Sequence, residues 1–146
     1  MENAALRVCP ARAEDEAEVY RLLCLLEEKV FDREGFSRRY QAALRESRVR
    51  LFTARGPDGT VGFLSLLFQR YLHHEGEVAE IGELVVDPAS RGGGAGGALF
   101  AQAVRAAKSR GCEVLEVHCG VFRGRAHAFY EGRGMTKTHS KFTMEL

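Results

Sequence analysis

Residues 85–100, VVDPASRGGGAGGALF, carry the most information about the fold, because they join an apolar strand to a helix through a glycine-rich run. Five glycines fall within six residues, between the apolar pair ending at Val86 and an alanine-rich helical pattern beginning at Ala98. Successive glycines let backbone N–H groups turn toward a ligand without obstruction by Cβ atoms. The N-terminus of a helix adds positive potential. The run therefore predicts a site where main-chain donors hold a phosphate or pyrophosphate.

Three other interpretations of the glycine run fit the chain less well. A flexible linker would not separate a buried strand from a helix inside a chain of 146 residues. Gly92, Gly94 and Gly97 match the GxGxxG pattern of dinucleotide-binding folds. However, residues 87–91 separate these glycines from the strand, and too few residues follow Cys119 to complete a doubly wound sheet. A P-loop is excluded, because no Lys-Ser/Thr pair follows the last glycine.

Length and composition predict one globular domain over residues 1–146. Hydrophobic residues make up 45% of the chain and charged residues 28%, which is ordinary for a single domain of this size. The net charge of +1 gives no sign of a nucleic-acid-binding surface, and no apolar run is long enough to span a membrane. The four cysteines show no CxxC spacing, which favours free thiols in a reducing compartment. We therefore expect a cytoplasmic protein without nucleic-acid or membrane partners.

Hydrophobic periodicity predicts an α+β domain with a mixed sheet. The expected order is strand, two helices, three strands, helix, strand, helix, and a final strand or hairpin. The second and third strands flank a Gly-Pro-Asp-Gly turn at residues 56–59, so they are expected to form an antiparallel hairpin. The elements are expected near residues 6–9, 13–29, 36–44, 49–54, 61–68, 77–86, 98–110, 114–117, 125–132 and 135–146.

Several segments resemble one known group of enzymes. The spacing Arg91-x-x-Gly94-x-Gly96, behind an apolar strand, resembles the acetyl-coenzyme A motif of the GNAT superfamily of N-acetyltransferases. Residues 71–86, with Leu-His-His and then Glu-Ile-Gly-Glu-Leu-Val-Val, resemble the aminoalkylphosphonate N-acetyltransferases. The segments Ala126-His127-x-Phe129-Tyr130 and His139-x-x-Phe142-Thr143 look like the last helix and the C-terminal strand of that family. The resemblance covers essentially the whole chain.

This resemblance implies both a fold and an activity. The implied fold is a mixed, mostly antiparallel sheet of six to seven strands, flanked by about four helices and splayed between the fourth and fifth strands. The implied enzyme transfers acetyl from acetyl-CoA to the primary amine of a small molecule, best matched by an aminoalkylphosphonate. An aminoglycoside or other small-amine or polyamine acetyltransferase, and a non-catalytic acetyl-CoA-binding module, stay open as alternatives. A homodimer also stays open, since many relatives are dimers.

The resemblance also assigns residues to the binding of acetyl-CoA. Main-chain groups of Leu84, Val85 and Val86 are expected to hold the pantetheine arm, with the Leu84 N–H facing the thioester carbonyl. The family tends to place an asparagine after the fifth strand, where this chain has Gly120, so backbone or water must replace that contact or it is absent. The pyrophosphate is expected to lie against Arg91, Gly92, Gly93, Gly94, Ala95, Gly96 and Gly97.

Two residues match the proton-transfer groups of the superfamily. Glu80 matches a glutamate that acts as general base, and Tyr130 matches a tyrosine whose phenol protonates the departing thiolate. Regular alternation would place Glu80 on the same strand face as Leu84, with Glu83 on the other face. Glu83 is the rival base and a candidate for contact with the substrate.

Two adjacent histidines, His73 and His74, are the other candidates for contact with the substrate, and in a strand they would face opposite ways. A phosphonate dianion is held by cations, by histidines or by a divalent metal. A metal requirement stays open, but no spacing of ligands supports one and no metal ligand is assigned. Further cationic candidates, which the sequence does not rank, are Arg48, Arg50, Arg70, His127 and Lys141.

Overall fold

The structure, a computed structural model, describes residues 6–146. One compact unit ends at Glu116, and a second comprises Val117–Leu146. The prediction of a single domain over residues 1–146, which includes residues outside the described range, stays a prediction. The strands are β1 (Arg7–Pro10), β2 (Val49–Gly56), β3 (Gly59–Gln69), β4 (Val78–Val86) and β5 (Val114–Val117), and the α-helices are α1 (Glu16–Glu27), α2 (Arg33–Arg45), α3 (Ala95–Arg110) and α4 (Gly124–Glu131).

The strands form one mixed sheet in the order β1-β2-β3-β4-β5. Neighbours from β1 to β4 run antiparallel, and β5 runs parallel to β4. The predicted α+β class, the mixed and mostly antiparallel sheet, and the hairpin of β2 and β3 are confirmed.

The predicted count of six to seven strands is wrong, because the described residues form five. Residues 135–146 contain no strand, although their alternating pattern predicts one. Alternation alone does not make a strand, since a strand also needs a neighbour with which to exchange backbone hydrogen bonds. Phe142 and Met144, two apolar residues of this alternating pattern, are 92% and 82% exposed.

Helices of the first unit cover both faces of its sheet. On one face, Val19 and Leu22 of α1 and Phe36 of α2 pack in one cluster with Phe63 and Val85 of the sheet. Full burial of a large apolar side chain stabilises the fold by about 1.5–3 kcal/mol.

The other face carries α3. A Cβ atom built on Gly62 of β3 would lie 3.0 Å from Leu99 of this helix, which shows how closely the two elements pack. Gly94 and Gly111, both with left-handed backbone, bound the helix at its two ends. The helix therefore begins immediately after the glycine-rich run, and the run lies at its positive end.

Candidate active site

Strand β4 contains a β-bulge at Gly82. Ile81 pairs with Leu66 and Glu83 pairs with Ser65, so Gly82 is an extra residue without a partner on β3. A Cβ atom on Gly82 would lie only 2.7 Å from Ser65 Oγ, so any larger residue would displace that hydroxyl. One extra residue shifts the alternation of a strand by one position. Every later residue then points its side chain to the opposite face, and its N–H and C=O groups to the opposite edge, from those of a regular strand. The second half of β4 is therefore turned relative to the first half.

The bulge turns the main chain of Leu84 and Val86 away from β3. Asp87 N–H donates to the Val61 carbonyl at 2.8 Å, which makes Val86 and Gly62 a pair that does not exchange hydrogen bonds. The N–H and C=O groups of Val86 therefore point to the opposite edge of β4. Leu84, two residues earlier and beyond the bulge, presents its main chain in the same direction.

The edge to which Leu84 and Val86 point is open in the sense that no strand of the described residues pairs with it. Glu113 N–H donates to the Glu77 carbonyl at 2.8 Å, so β5 starts beside the start of β4. Since β5 has four residues and β4 has nine, β5 ends near the middle of β4. Within residues 6–146, no strand lies beside residues 82–86 on this side. An extended ligand can therefore pair with this part of the strand.

A short 3₁₀ turn, Pro88–Ser90, follows β4 and leads to the glycine run. Asp87 accepts a hydrogen bond from the Ala89 N–H at 3.0 Å and forms an ion pair with Arg21 of α1 at 2.8 Å. The Ala89 N–H and the Arg21 guanidinium hold the pKa of Asp87 below its usual value. These contacts fix the direction in which the chain leaves the open edge.

The glycine run ends at an uncapped helix N-terminus. Gly92 and Gly94 have φ values of 88° and 89°, in the left-handed region that favours glycine. Gly94 is the N-cap of α3, and no side chain caps the helix. The first intrahelical bond is donated by the Ala98 N–H to the Gly94 carbonyl at 3.0 Å, so the N–H groups of residues 95–97 have no acceptor in the helix. This cluster of donors can bind an anion, and Arg91 is exposed beside it.

The bulge also corrects the predicted position of Glu80. Glu80 pairs with Leu67 and Leu84 pairs with Leu64, and residues three apart on β3 lie on opposite faces. Glu80 is therefore not on the face of Leu84, as regular alternation predicts. Glu80 and Glu83 instead share one face of β4, because their partners on β3 are two residues apart.

Glu83 is held in place by Ser65. Ser65 Oγ accepts a hydrogen bond from the Glu83 N–H at 2.8 Å, and the Ser65 hydroxyl donates to Glu83 Oε1. Ser65 itself is 4% exposed. A carboxylate at this point of the strand thus has a fixed direction.

The two histidines lie in the loop between β3 and β4 and not in a strand, so the alternation of a strand does not apply to them. Their ring centroids are 4.5 Å apart. His74 Nδ1 lies 2.6 Å from Glu113 Oε2, and the Gly76 N–H donates to the other oxygen of this carboxylate at 2.8 Å. These two contacts hold the pKa of Glu113 below its usual value. His74 thus fastens the loop at the start of β4, the opposite end from the glycine run.

The second unit contains Tyr130 and Gly120. Tyr130 lies on α4 and is buried, and this burial raises the pKa of its phenol to about 12. The phenol therefore keeps its proton at neutral pH. The Gly120 carbonyl accepts a hydrogen bond from the Arg123 N–H at 3.0 Å and lies 2.9 Å from His127 Nε2.

Among residues 6–146, no group of three or more histidine, cysteine, aspartate or glutamate side chains is placed to hold a metal ion. A membrane-crossing helix, sufficiently long and apolar, is also absent from that part of the chain.

Comparison with known proteins identifies the family. The sequence pattern of the "Acetyltransferase (GNAT) family" matches residues 16–135. The chain belongs to the GNAT acetyltransferase family. It is 36% identical over 136 residues to an aminoalkylphosphonate N-acetyltransferase of Salmonella typhimurium, covering 93% of this chain and 88% of that protein. The resemblance found in the sequence is confirmed, and the protein is a GNAT N-acetyltransferase.

Solved structures support the fold. A protein from Bacillus halodurans, described as a transcriptional regulator, superposes with a TM-score of 0.89 at 23% identity, covering 97% of this chain and 99% of that one. An acetyltransferase of Agrobacterium tumefaciens, described as putative, superposes with a TM-score of 0.85 at 22% identity, covering 96% and 99%. At these identities the likeness concerns the GNAT fold alone.

Three features of the site were not predicted from the sequence. Gly82 gave a usable signal, because an isolated glycine inside an apolar strand often marks a bulge. Ser65 gave none, since a serine in a buried strand has no characteristic pattern. The ion pair of Arg21 with Asp87 joins residues 66 positions apart, which local periodicity does not reveal.

Proposed function

We propose that this GNAT enzyme transfers the acetyl group of acetyl-CoA to the primary amine of a small molecule, with an aminoalkylphosphonate as the favoured substrate. The observation that carries the proposal is the continuity of the open edge at Leu84 and Val86 with the uncapped start of α3. A strand edge suits the amide groups of pantetheine, and a glycine-rich helix start suits a pyrophosphate. The substrate class is supported by the relative from Salmonella typhimurium.

The residues present fit acetyl-CoA. We assign the pantetheine arm to the main chain of residues 84–86, and the pyrophosphate to residues 92–97, where the N–H groups of residues 95–97 have no acceptor in the helix, with the Arg91 guanidinium at the entrance. The left-handed backbone at Gly92 and Gly94 supports this assignment, because it exposes donors where a side chain would be strained. When bound, acetyl-CoA supplies a thioester carbonyl that an amine can attack and a thiolate that leaves.

Two side chains are assigned to proton transfer. An ammonium group must lose one proton before it can attack a carbonyl, and we assign that proton to the Glu80 carboxylate. The departing thiolate needs one proton, and we assign its donor to Tyr130. Since burial raises the Tyr130 pKa to about 12, the phenol is present in the proton-bearing form over the working pH range. The reaction releases one proton overall, because the nitrogen loses two protons as the ammonium becomes an amide and the departing thiolate takes one.

A thiol-release assay tests the proposed function. Acetyl-CoA is supplied with 2-aminoethylphosphonate, diamines and aminoglycosides in parallel, with and without a divalent cation. Release with 2-aminoethylphosphonate at the highest kcat/KM of the panel is expected. Preferred release with another amine would replace the substrate assignment. Tight acetyl-CoA binding without release by any amine would instead favour a non-catalytic module.

The base assignment has its own test in Glu80→Gln, which keeps the shape of the side chain and removes its charge. We expect kcat to fall by about 100-fold or more near neutral pH and to recover in part as pH rises, because a larger fraction of the amine is then neutral. An unchanged rate would remove Glu80 as the base.

A further inference from the structure

We propose that Ser65 is a positioning residue that directs Glu83 toward the acceptor, so that Glu83 holds the ammonium group of the substrate. The inference rests on the proposed N-acetyltransferase function and adds a binding partner for the amine. It assigns different tasks to the two carboxylates of β4: Glu83 binds the cation and Glu80 takes one proton from it.

The first support is the pair of bonds between Ser65 and Glu83. Ser65 Oγ accepts from the Glu83 N–H at 2.8 Å, and its single proton is donated to Glu83 Oε1. The hydroxyl therefore connects the main chain and the side chain of one residue. Because Ser65 is only 4% exposed, water cannot easily replace either bond. Glu83 Oε2 is not used by Ser65 and stays available for a ligand.

The second support is the bulge. The Glu83 N–H follows directly after the bulge and donates to the Ser65 side chain on β3. Gly82 makes room for this arrangement, since a Cβ there would lie 2.7 Å from Ser65 Oγ. The direction of the Glu83 carboxylate is thus coupled to the geometry that opens the strand edge at Leu84.

The third support is the location of Glu80 relative to Glu83. Their partners on β3, Leu67 and Ser65, are two residues apart and lie about 7 Å from each other along one face. Two carboxylates at this spacing can both reach one ammonium group, which has three N–H donors. When one N–H proton passes to Glu80, the neutral amine stays hydrogen-bonded to Glu83, and no other atom changes its bonding. The two carboxylates therefore suit an ammonium group with at least two N–H donors.

The test compares Ser65→Ala with a matched control, Thr53→Val. Thr53 carries a fully buried hydroxyl on the same sheet face, but this hydroxyl has no hydrogen-bond partner within residues 6–146. Ser65→Ala should raise the KM for 2-aminoethylphosphonate about tenfold or more, with the KM for acetyl-CoA changed less than twofold. Thr53→Val should leave both KM values within twofold. Equal changes in the two KM values of Ser65→Ala would overturn the proposal, because a general loss of structure affects both substrates.

A double-mutant cycle tests whether Ser65 acts through Glu83. Glu83→Gln should raise the KM for the amine, and adding Ser65→Ala to Glu83→Gln should raise it by less than a further twofold. A purely structural role for Ser65 predicts instead that the two effects multiply, and that result would overturn the proposal.

Amine binding without acetyl-CoA separates this inference from the proposed function. The ¹³C signal of the Glu83 carboxyl, assigned by its loss in Glu83→Gln, should shift on titration with 2-aminoethylphosphonate. In Ser65→Ala the shift should need about tenfold more ligand. A saturable shift without thiol release would retain the inference and refute the transferase proposal. Thiol release by the wild type without any shift at Glu83 would refute the inference alone.

Discussion

Replacing Gly94 by alanine should weaken acetyl-CoA binding five- to thirtyfold. Gly94 is the N-cap of α3 with φ at 89°, and a Cβ atom there would meet nothing within 4 Å. The substitution therefore adds no steric contact, and its effect comes from the backbone alone. An L-residue in left-handed conformation costs roughly 1–2 kcal/mol. Only strain that the free protein keeps would lower Tm, and for a chain of 146 residues the full strain of about 1–2 kcal/mol would correspond to about 2–8 °C.

The effect on binding follows from the same strain. The free loop can relax out of the left-handed conformation, whereas acetyl-CoA needs the N–H groups of residues 94–97 in their present directions. The free energy of acetyl-CoA binding is then weakened by up to the full strain of about 1–2 kcal/mol. About 1.4 kcal/mol corresponds to a tenfold change in Kd.

A control with the same backbone change is available at the other end of the helix. Gly111 is the C-cap of α3 with φ at 82°, and a Cβ atom there also meets nothing within 4 Å. Gly111→Ala should lower Tm by up to about 2–8 °C, at least as much as Gly94→Ala, and leave the Kd for acetyl-CoA within twofold. Calorimetric titration and thermal unfolding measure both quantities. Equal acetyl-CoA affinities in the two variants would refute the assignment of the glycine run to the binding of acetyl-CoA.

Tyr130→Phe should lower kcat by about 100-fold or more and leave both KM values within a few fold; full turnover in a steady-state assay would end the assignment of Tyr130 as the acid. Because the folded pKa of Tyr130, about 12, lies above its usual 10, the stability that its protonated phenol contributes is complete below pH 10 and declines toward pH 12. Tyr130→Phe should therefore flatten the alkaline loss of Tm. Asp87→Ala removes the carboxylate that caps the 3₁₀ turn and forms the ion pair with Arg21. It should therefore destabilise the fold by about 1 kcal/mol at pH 7. Since the folded pKa of Asp87 is lowered, this difference should shrink as pH falls below 4, and a constant difference in urea titrations would contradict the pairing. Gly82→Ala should displace Ser65 Oγ and also disturb the open edge of β4. It should therefore raise the KM for the amine and the KM for acetyl-CoA, whereas Ser65→Ala should raise mainly the KM for the amine.

The sequence predicted those elements whose signals are local. The glycine run, its position between strand and helix, and Gly111 as the end of α3 all follow from residue types at fixed spacing. The hairpin of β2 and β3 follows from a turn between two apolar runs. Local propensity and packing agree at these places, so reasoning from the pattern was sufficient.

The rest depends on contacts between distant residues. Alternation placed Glu80 on the wrong face because a single bulge at Gly82 changes the phase of β4. His74 is engaged by Glu113, a residue 39 positions away. The pattern at residues 135–146 is that of a strand, but a strand also requires a hydrogen-bonded neighbour.

The most direct test of the account is the product formed from acetyl-CoA and 2-aminoethylphosphonate. We expect equal amounts of free thiol and of an N-acetylated phosphonate, identified by mass spectrometry, both lost in the double variant Glu80→Gln/Tyr130→Phe. Thiol release without an N-acetylated product, or no release above the enzyme-free rate with any amine of the panel, would contradict the central claim that this chain is an acetyl-CoA-dependent amine acetyltransferase.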